Sequence, residues 1–419
     1  MRYWRILLLV LLPGLAVPVL GEAPAVTSPP SVAASAKGGL VIVGGALRPD
    51  NEVVHRAFIE RLPAAGPVVI VPVASGQPAT SAARFAATLQ GYGVAPERLV
   101  TFPLALLDDP ATEVLDEGSW ADNAWDTAQV AAVADAAGFW FTGGDQVRIV
   151  NGLRKADGSA SPLLNLVNAR LAAGAVVGGT SAGAAIMSQH MIAGGDSFTA
   201  LTQPMAEHYA ATEEQDSGRL SLLPGLGFFT AGIVDQHFDR KARLGRLVRA
   251  LAATGAEAGF GVDEDTALVV DLAQGRGRVV GSGSVVLLDA RKAEFAPETG
   301  RLASGLRLAV AHDGVEIDLA SQQLLSGLGK PTVANPYYNH QPRHGGGMAF
   351  ANARLDQLLG HDLLDNRRSK ELRRLSLDGE GALVTYRFYQ TARSQGYWDD
   401  SNGDRYSASD VGFDVLTGR

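Results

Sequence analysis

The stretch Ala175-Val176-Val177-Gly178-Gly179-Thr180-Ser181-Ala182-Gly183-Ala184-Ala185 decides how this chain is read. It has the form of a short buried strand that turns sharply into a helix at a serine flanked by small residues. Gly179, Ser181 and Gly183 give the G-x-S-x-G spacing of a nucleophile elbow. The requirement is steric: at so tight a turn the strand and helix backbones pass close together, and only small neighbours permit it. The turn lifts the hydroxyl out of the sheet, beside helix N–H groups that lack a partner within the helix and can stabilise an oxyanion. Taken alone, the pattern also suits a chemically silent Gly/Ser-rich connection, so the rest of the chain has to decide between the two.

Apolar runs alternate with helical patterns on both sides of this stretch. Residues 40–43, 68–73, 99–102, 138–142 and 175–177 read as strands, with helices predicted over about 51–62, 79–90, 126–136 and 164–172. Near-continuous apolar strands separated by helices predict an α/β fold, with a mostly parallel sheet covered on both faces. Ligands of such sheets sit beyond the carboxyl ends of the strands, which is where Gly44-Gly45, Gly143-Gly144 and Ser181 fall. Further on, 228–234 reads as a strand ending at Asp235-Gln236-His237, followed by a basic helix over about 239–253. Residues 260–262 lead to Asp263-Glu264-Asp265, and Thr266–Asp271 is a further strand. Residues 279–280 with 285–289, and 306–310 with 315–319, read as antiparallel pairs. From about 326 to 419 the character changes, and this part reads as a C-terminal extension or small subdomain.

Composition narrows the class. Of 419 residues, 46% are hydrophobic, and the mean hydropathy of +0.07 argues for a packed core and against disorder. Arg2 and Arg5 precede an apolar run at 6–12, and small or apolar residues lead to a cut after Gly21, the layout of a secretory signal peptide at 1–21. Pro13, Gly14 and Pro18 leave the apolar stretch too short to span a membrane, so the expectation is an exported chain with no membrane association after cleavage. Residues 22–37, rich in Pro, Ala and Ser, read as a flexible leader. The absence of cysteine excludes disulfides, thiolate metal sites and a cysteine nucleophile. A net charge of −8 does not suit a nucleic-acid binder, whereas it suits a cationic substrate. No H-E-x-x-H motif is present and the histidines are scattered, so neither a metal nor another cofactor is expected.

A serine hydroxyl needs a base within hydrogen-bond reach, oriented in turn by a third group. His237 is the best-placed base, since it follows an apolar strand on the inferred active edge; His340 and His344 are rivals in the C-terminal region. Glu264 and Asp263 are the candidates for the third group. The order Ser181, His237, Glu264 differs from the Ser, acid, His order of α/β-hydrolases. Gly144 and Ala182 are placed to offer two backbone N–H groups as an oxyanion hole. Beyond His237 lie Arg240, Lys241, Arg243, Arg246 and Arg249. Arg243 and Arg246, three apart, are read as one helix face able to bind a carboxylate.

Taken together, Phe141-Thr142-Gly143-Gly144-Asp145-Gln146, Gly179-Thr180-Ser181-Ala182-Gly183-Ala184, Asp235-Gln236-His237-Phe238 and Asp263-Glu264-Asp265-Thr266-Ala267 resemble the cyanophycinases. These belong to a serine peptidase family that also includes dipeptidase E. The four motifs stand in the family's order over roughly 39–325, so 38–325 reads as the peptidase domain. The resemblance implies a fold like that of class I glutamine amidotransferases (flavodoxin-like), with Ser181 as nucleophile, His237 as base and Glu264 as third member. It also implies that Gln146, Asp235, Gln236, Arg243 and Arg246 recognise substrate, with Lys241 standing where an arginine is expected. Cyanophycinases release β-aspartyl-arginine from cyanophycin, a poly-aspartate bearing arginine on each β-carboxyl. A homodimer of the extracellular type is implied as well. Two alternatives remain at this point: an exopeptidase for other aspartyl or isoaspartyl peptides, and a catalytically silent polymer-binding member.

Overall fold

Residues 37–342, 344–345, 354–378, 381–401 and 403–418 are described by the computed structural model. The signal peptide and the leader, apart from Lys37, lie outside them. Five strands form the parallel half of the first sheet: β1 (Gly39–Val43), β2 (Val68–Val71), β3 (Leu99–Thr101), β4 (Gly138–Phe141) and β5 (Val176–Thr180), in the spatial order β3-β2-β4-β5-β1. Their apolar runs are continuous because both faces are covered. In β1, Leu40 and Ile42 pack into one core, while Val41 and Val43 pack into another with Phe58, Trp140 and Val176. Alternation at period two thus buries every residue of the strand.

The sheet does not stay parallel. Beyond β1 it continues with Thr266–Asp271, Arg276–Gly281, Glu316–Asp318 and Gln323–Ser326, all antiparallel, so it is mixed rather than mostly parallel. A second, largely antiparallel sheet orders Ile233–Asp235, Ala258–Val262, Ser284–Asp289, Arg301–His312, Arg405–Gly418, Gln395–Asp399 and Lys330–Pro331. Leu383–Tyr389 adds to Arg405–Gly418, and Glu371–Leu377 pairs with Leu383–Tyr389 in turn.

The antiparallel pairs expected between sequence neighbours do not form. Arg276–Gly281 and Ser284–Asp289 belong to different sheets, and so do Arg301–His312 and Glu316–Asp318. The chain changes sheet at residues with left-handed backbone: Asp265 at φ 54°, Gly281 at 121° and Gly314 at 87°. The two sheets face each other. Val285 and Leu287 share a core with Leu268, Val270 and Val279 of the first sheet, whereas Val286 and Leu288 point the other way, into a second core with Leu308, Val411 and Phe413.

The boundary at 325–326 therefore separates nothing within the second sheet. Arg301–His312, before it, carries a long ladder to Arg405–Gly418, after it. Truncation after Leu325 strips that ladder and uncovers Leu306, Leu308 and Val310, which are buried. The expected outcome is an insoluble chain or one without a cooperative thermal transition, checked by expression and circular dichroism; a soluble, sharply melting fragment would show an independent domain.

Candidate active site

Ser181 directly follows β5 and precedes the short helix Ala182–Ala185. Its backbone lies at φ 54° and ψ −109°, a region that costs a non-glycine residue about 1–3 kcal/mol. The turn is held from both sides: Ser181 N–H donates to Val43 O at 3.0 Å, and the N–H groups of Ala184 and Ala185 donate to Ser181 O at 2.9 and 3.0 Å. Glycines make the turn possible. A Cβ on Gly179 would lie 2.5 Å from Gly183 O, and one on Gly183 would lie 2.3 Å from Phe141 O.

His237 comes from the other sheet, two residues beyond Ile233–Asp235. Its N–H donates to Gly44 O at 2.6 Å, so the end of β1 fixes its backbone. Ser181 Oγ and His237 Nε2 are 2.8 Å apart, and His237 Nδ1 lies 2.6 Å from Glu264 Oε1. Glu264 sits in the link between Ala258–Val262 of the second sheet and Thr266–Asp271 of the first. Asp263 turns away, accepting from Ser284 N–H at 2.9 Å, and burial together with nearby Asp239 pushes its carboxyl well up. The side chains of His237 and Glu264 are 14% and 22% exposed, enough to meet a ligand and little enough to weaken water's screening.

Burial lowers the pKa of His237 below the ordinary histidine value, and the positive charge of Arg243 adds to this; the hydrogen bond to Glu264 opposes it. The neutral ring can accept a proton from Ser181. Gly143 lies opposite Ser181, where a Cβ would be 3.4 Å from Ser181 Cβ, and Gly144 follows it packed against the backbone of Ala74 and Ser75. Ala182 opens its helix, so its N–H has no partner within that helix.

The recognition residues read from the sequence divide into two groups. Asp235 and Arg246 are 0% and 1% exposed and bind each other, with Nε to Oδ2 at 2.9 Å and Nη2 to Oδ1 at 2.6 Å. The remaining Arg246 prong, Nη1, donates to Gly195 O and Gln215 O at 2.8 and 2.7 Å. Direct substrate binding by this pair is thereby corrected, since both side chains are spent on one another and on backbone. Arg243 does not share a helix face with Arg246 either. The helix begins at Leu244, and 239–243 form a turn with Ala242 at φ 49°.

Arg243, Gln236 and Gln146 form the second group. Arg243 Nη1 donates to Gln236 O at 2.5 Å, and its Nη2 donates to Asp216, which also binds Lys241 Nζ. Burial and neighbouring Arg246 lower Arg243 to about 10, which leaves it charged near neutral pH. Gln146 Nε2 donates to Ala193 O at 2.6 Å. Among the described residues, the buried atoms Arg243 Nε, Gln236 Oε1 and Gln146 Oε1 have no hydrogen-bond partner. Such orphaned groups are costly unless a ligand or water meets them.

Sequence reasoning missed the segment that closes over this group. Between Ser197–Thr202 and Ser221–Pro224 the chain has no regular element except the single turn Thr212–Gln215. Thr212 Oγ1 and Tyr209 OH donate to Asp145 Oδ2 at 2.7 and 3.1 Å, and Gln215 Nε2 donates to Gly144 O at 3.3 Å. The signal available was length, since structureless loops of this size are commonly functional. Of the rival bases, His340 lies beside His361 and Asp362, with Nε2 3.6 Å from Asp362 Oδ1, and His344 is exposed.

A serine, a histidine and a carboxylate joined in this order, on a turn with free helix N–H groups, are the equipment of serine hydrolases that work by acyl transfer. The family described as Peptidase family S51 matches residues 40–276, more than half the chain, and the chain belongs to it. It is a serine peptidase of that family. It is 32% identical over 261 residues to a cyanophycinase of Trichormus variabilis, covering 60% of this chain and 74% of that one. A cyanophycinase of Geminocystis herdmanii is 32% identical over 203 residues, 47% of this chain and 67% of its own. Among solved structures, a peptidase from an acI-B1 Actinobacterium aligns with a TM-score of 0.43 at 21% identity, covering 60% of this chain and 91% of that one.

Two outcomes follow for His237. Gly45 has φ 105°, and a Cβ there would lie 2.3 Å from the imidazole Cε1. Gly45→Ala should displace the ring and lower kcat by roughly 100-fold with the fold intact by circular dichroism. A depressed histidine pKa keeps the base neutral further into acid, so activity is lost only as pH falls through a midpoint below about 6.5. Glu264→Gln removes an influence that raises that pKa and should move the midpoint lower still, with kcat down roughly 10⁴-fold as in comparable triads. A pH profile of kcat/KM for both proteins checks this.

Proposed function

We propose that this chain is an exported exopeptidase that hydrolyses cyanophycin to β-aspartyl-arginine through an acyl-enzyme. The observation that carries the reading is the continuous Ser181–His237–Glu264 hydrogen-bond chain next to a buried cation and orphaned amide acceptors. Ser181 Oγ attacks the scissile carbonyl while His237 Nε2 takes its proton. Glu264 keeps the other ring nitrogen protonated and balances the imidazolium. The N–H groups of Ala182 and Gly144 receive the oxyanion, where one such donor is typically worth about 3–4 kcal/mol. His237 then returns the proton to the leaving amine, and water repeats the sequence on the ester.

The substrate class follows from charge. Cyanophycin presents a carboxylate and a guanidinium in each repeat, and the site offers partners for both. Arg243 and Lys241 supply positive charge beside the base, and the amide oxygens of Gln236 and Gln146 can accept guanidinium N–H groups. The similarity to cyanophycinases of two cyanobacteria supports the same choice. Export rests on residues 1–21, outside the described part of the chain, and the peptidase fold is taken to include the strand after 325 that pairs with Arg301–His312. A homodimer is the assembly proposed, with no metal or other cofactor in the reaction.

Incubating the mature protein with purified cyanophycin should release β-aspartyl-arginine, identified by mass, and Ser181→Ala should release none while melting as the wild type does. Full activity in that variant would sink the mechanism. Faster turnover of short aspartyl or isoaspartyl dipeptides than of polymer would assign the chain to that substrate class instead.

A further inference from the structure

Arg243 is 3% exposed: its Nη1 donates to Gln236 O and lies 3.6 Å from Asp235 Oδ1, while its Nη2 meets the carboxylate of Asp216, whose side chain is itself 44% exposed. One oxygen of Asp216 meets Arg243 Nη2 and the other meets Lys241 Nζ. Burial alone would push its carboxyl up, but Arg243 and Lys241 outweigh this and hold it down at about 2, so it is ionised throughout the neutral range. Both cations follow His237 closely, and Lys241 N–H donates to His237 O at 3.1 Å.

The segment bearing Asp216 is tied down mainly by polar contacts. Gln215 Nε2 holds Gly144 O, Gln215 O accepts from Arg246, and Thr212 and Tyr209 hold Asp145. Around Asp216 the chain is exposed from Asp216 to Arg219, and no large apolar side chain anchors it until Leu220. The backbone on either side is bound to Gly195 and Asp196, through Gly195 N–H to Glu214 O at 2.8 Å and Gly218 N–H to Asp196 Oδ2 at 2.8 Å, so the part able to leave is the exposed Asp216 side chain itself. A carboxylate is also what the proposed substrate would present there: in cyanophycin the β-carboxyl of each aspartate is taken up in an amide, and the free carboxylate of each repeat is that of the arginine.

We propose that Asp216 is an internal stand-in for the substrate carboxylate: it occupies a subsite made by Lys241 and Arg243 and must leave before an aspartyl substrate is seated. The proposal rests on reading Ser181, His237 and Glu264 as catalytic, because only then does the subsite border the reaction. Asp216 is thus a specificity-determining residue. A ligand gains access only if it brings a carboxylate to replace the one removed, since otherwise Lys241 loses Asp216 and buried Arg243 is left with Asp235 alone, a carboxylate already bound by Arg246. A latch closed about 90% of the time weakens carboxylate binding tenfold without altering the open site.

Succinate, titrated calorimetrically into the wild type and into Asp216→Asn, tests this without relying on turnover. The expected result is at least tenfold tighter binding to Asp216→Asn, lost again when Arg243→Gln is added. With substrate, Asp216→Asn should lower KM several-fold and leave kcat within twofold. Equal or weaker succinate binding by Asp216→Asn overturns the proposal and makes Asp216 a clamp that positions Arg243. Asp216→Ser provides the same comparison should the asparagine variant fold poorly, with thermal melts run on both. If the wild type releases no β-aspartyl-arginine, the substrate reading fails, and the succinate titration still decides the role of Asp216.

Discussion

The buried ion pair between Asp235 and Arg246 is the contact on which the rest of the site depends. Asp235 ends the strand that delivers His237, and Arg246 lies in the first turn of the helix Leu244–Thr254. The third prong of the guanidinium reaches the backbone at Gly195 and Gln215. One side chain therefore ties together the second sheet, its covering helix, the loop after His190–Gly194 and the segment over the site. Burying two charges is expensive, and breaking such a pair typically costs about 3–5 kcal/mol because the survivor is left unpaired. Here every polar atom of the pair is met, and that bidentate geometry makes burial tolerable. Its return is positional: His237 is held two residues from a fixed point.

That fixed point matters because Ser181, His237 and Glu264 come from two sheets. Ser181 belongs to the first, at the end of β5, while His237 follows a strand of the second and Glu264 stands in the crossing between them. Hydrogen bonds to the end of β1 set the spacing: Ser181 N–H to Val43 O within the first sheet, and His237 N–H to Gly44 O and Asp265 N–H to Gly45 O from the second sheet and the crossing. Three consecutive carbonyls of one strand end thus hold Ser181, His237 and the neighbour of Glu264. A shift of one sheet against the other would be read directly as a change in the Ser181–His237 distance. The shared apolar core, with Leu268 and Val270 packed near Val285 and Leu287, resists that shift.

Much of this was legible in the sequence where local chemistry determines it. Continuous apolar runs announced β1 to β5 because burial on both faces leaves no room for polar alternation. Small residues around Ser181 announced the turn because Cβ atoms cannot fit there. The partners of later strands were not legible. An apolar strand such as Ser284–Asp289 states that it is buried, not by which sheet, and the turns at Asp265, Gly281 and Gly314 carried it away from its sequence neighbour. The basic run after His237 misled for a related reason. Arg243 and Arg246 looked like one exposed helix face, but the helix starts after Arg243, and a buried aspartate eleven residues before Arg246 claims that arginine. Nothing periodic marked Asp216, whose partners lie 25 and 27 residues further on.

The charges around His237 form one balanced set, and this links recognition to catalysis. Arg243 lowers the basicity of His237, so any group that neutralises Arg243 restores part of it. In the free protein Asp235, 3.6 Å from Nη1, and Asp216 on Nη2 share that role. A substrate carboxylate that replaces Asp216 supplies the same charge at the same place, so His237 keeps the same affinity for the proton of Ser181 before and after binding. A ligand that displaced Asp216 without bringing a carboxylate would leave Arg243 and Lys241 less well compensated and would make the imidazolium harder to form. On the proposed role of Asp216, selection operates on the proton transfer as well as on affinity: a ligand that displaces Asp216 without bringing a carboxylate binds poorly and also meets a weaker base.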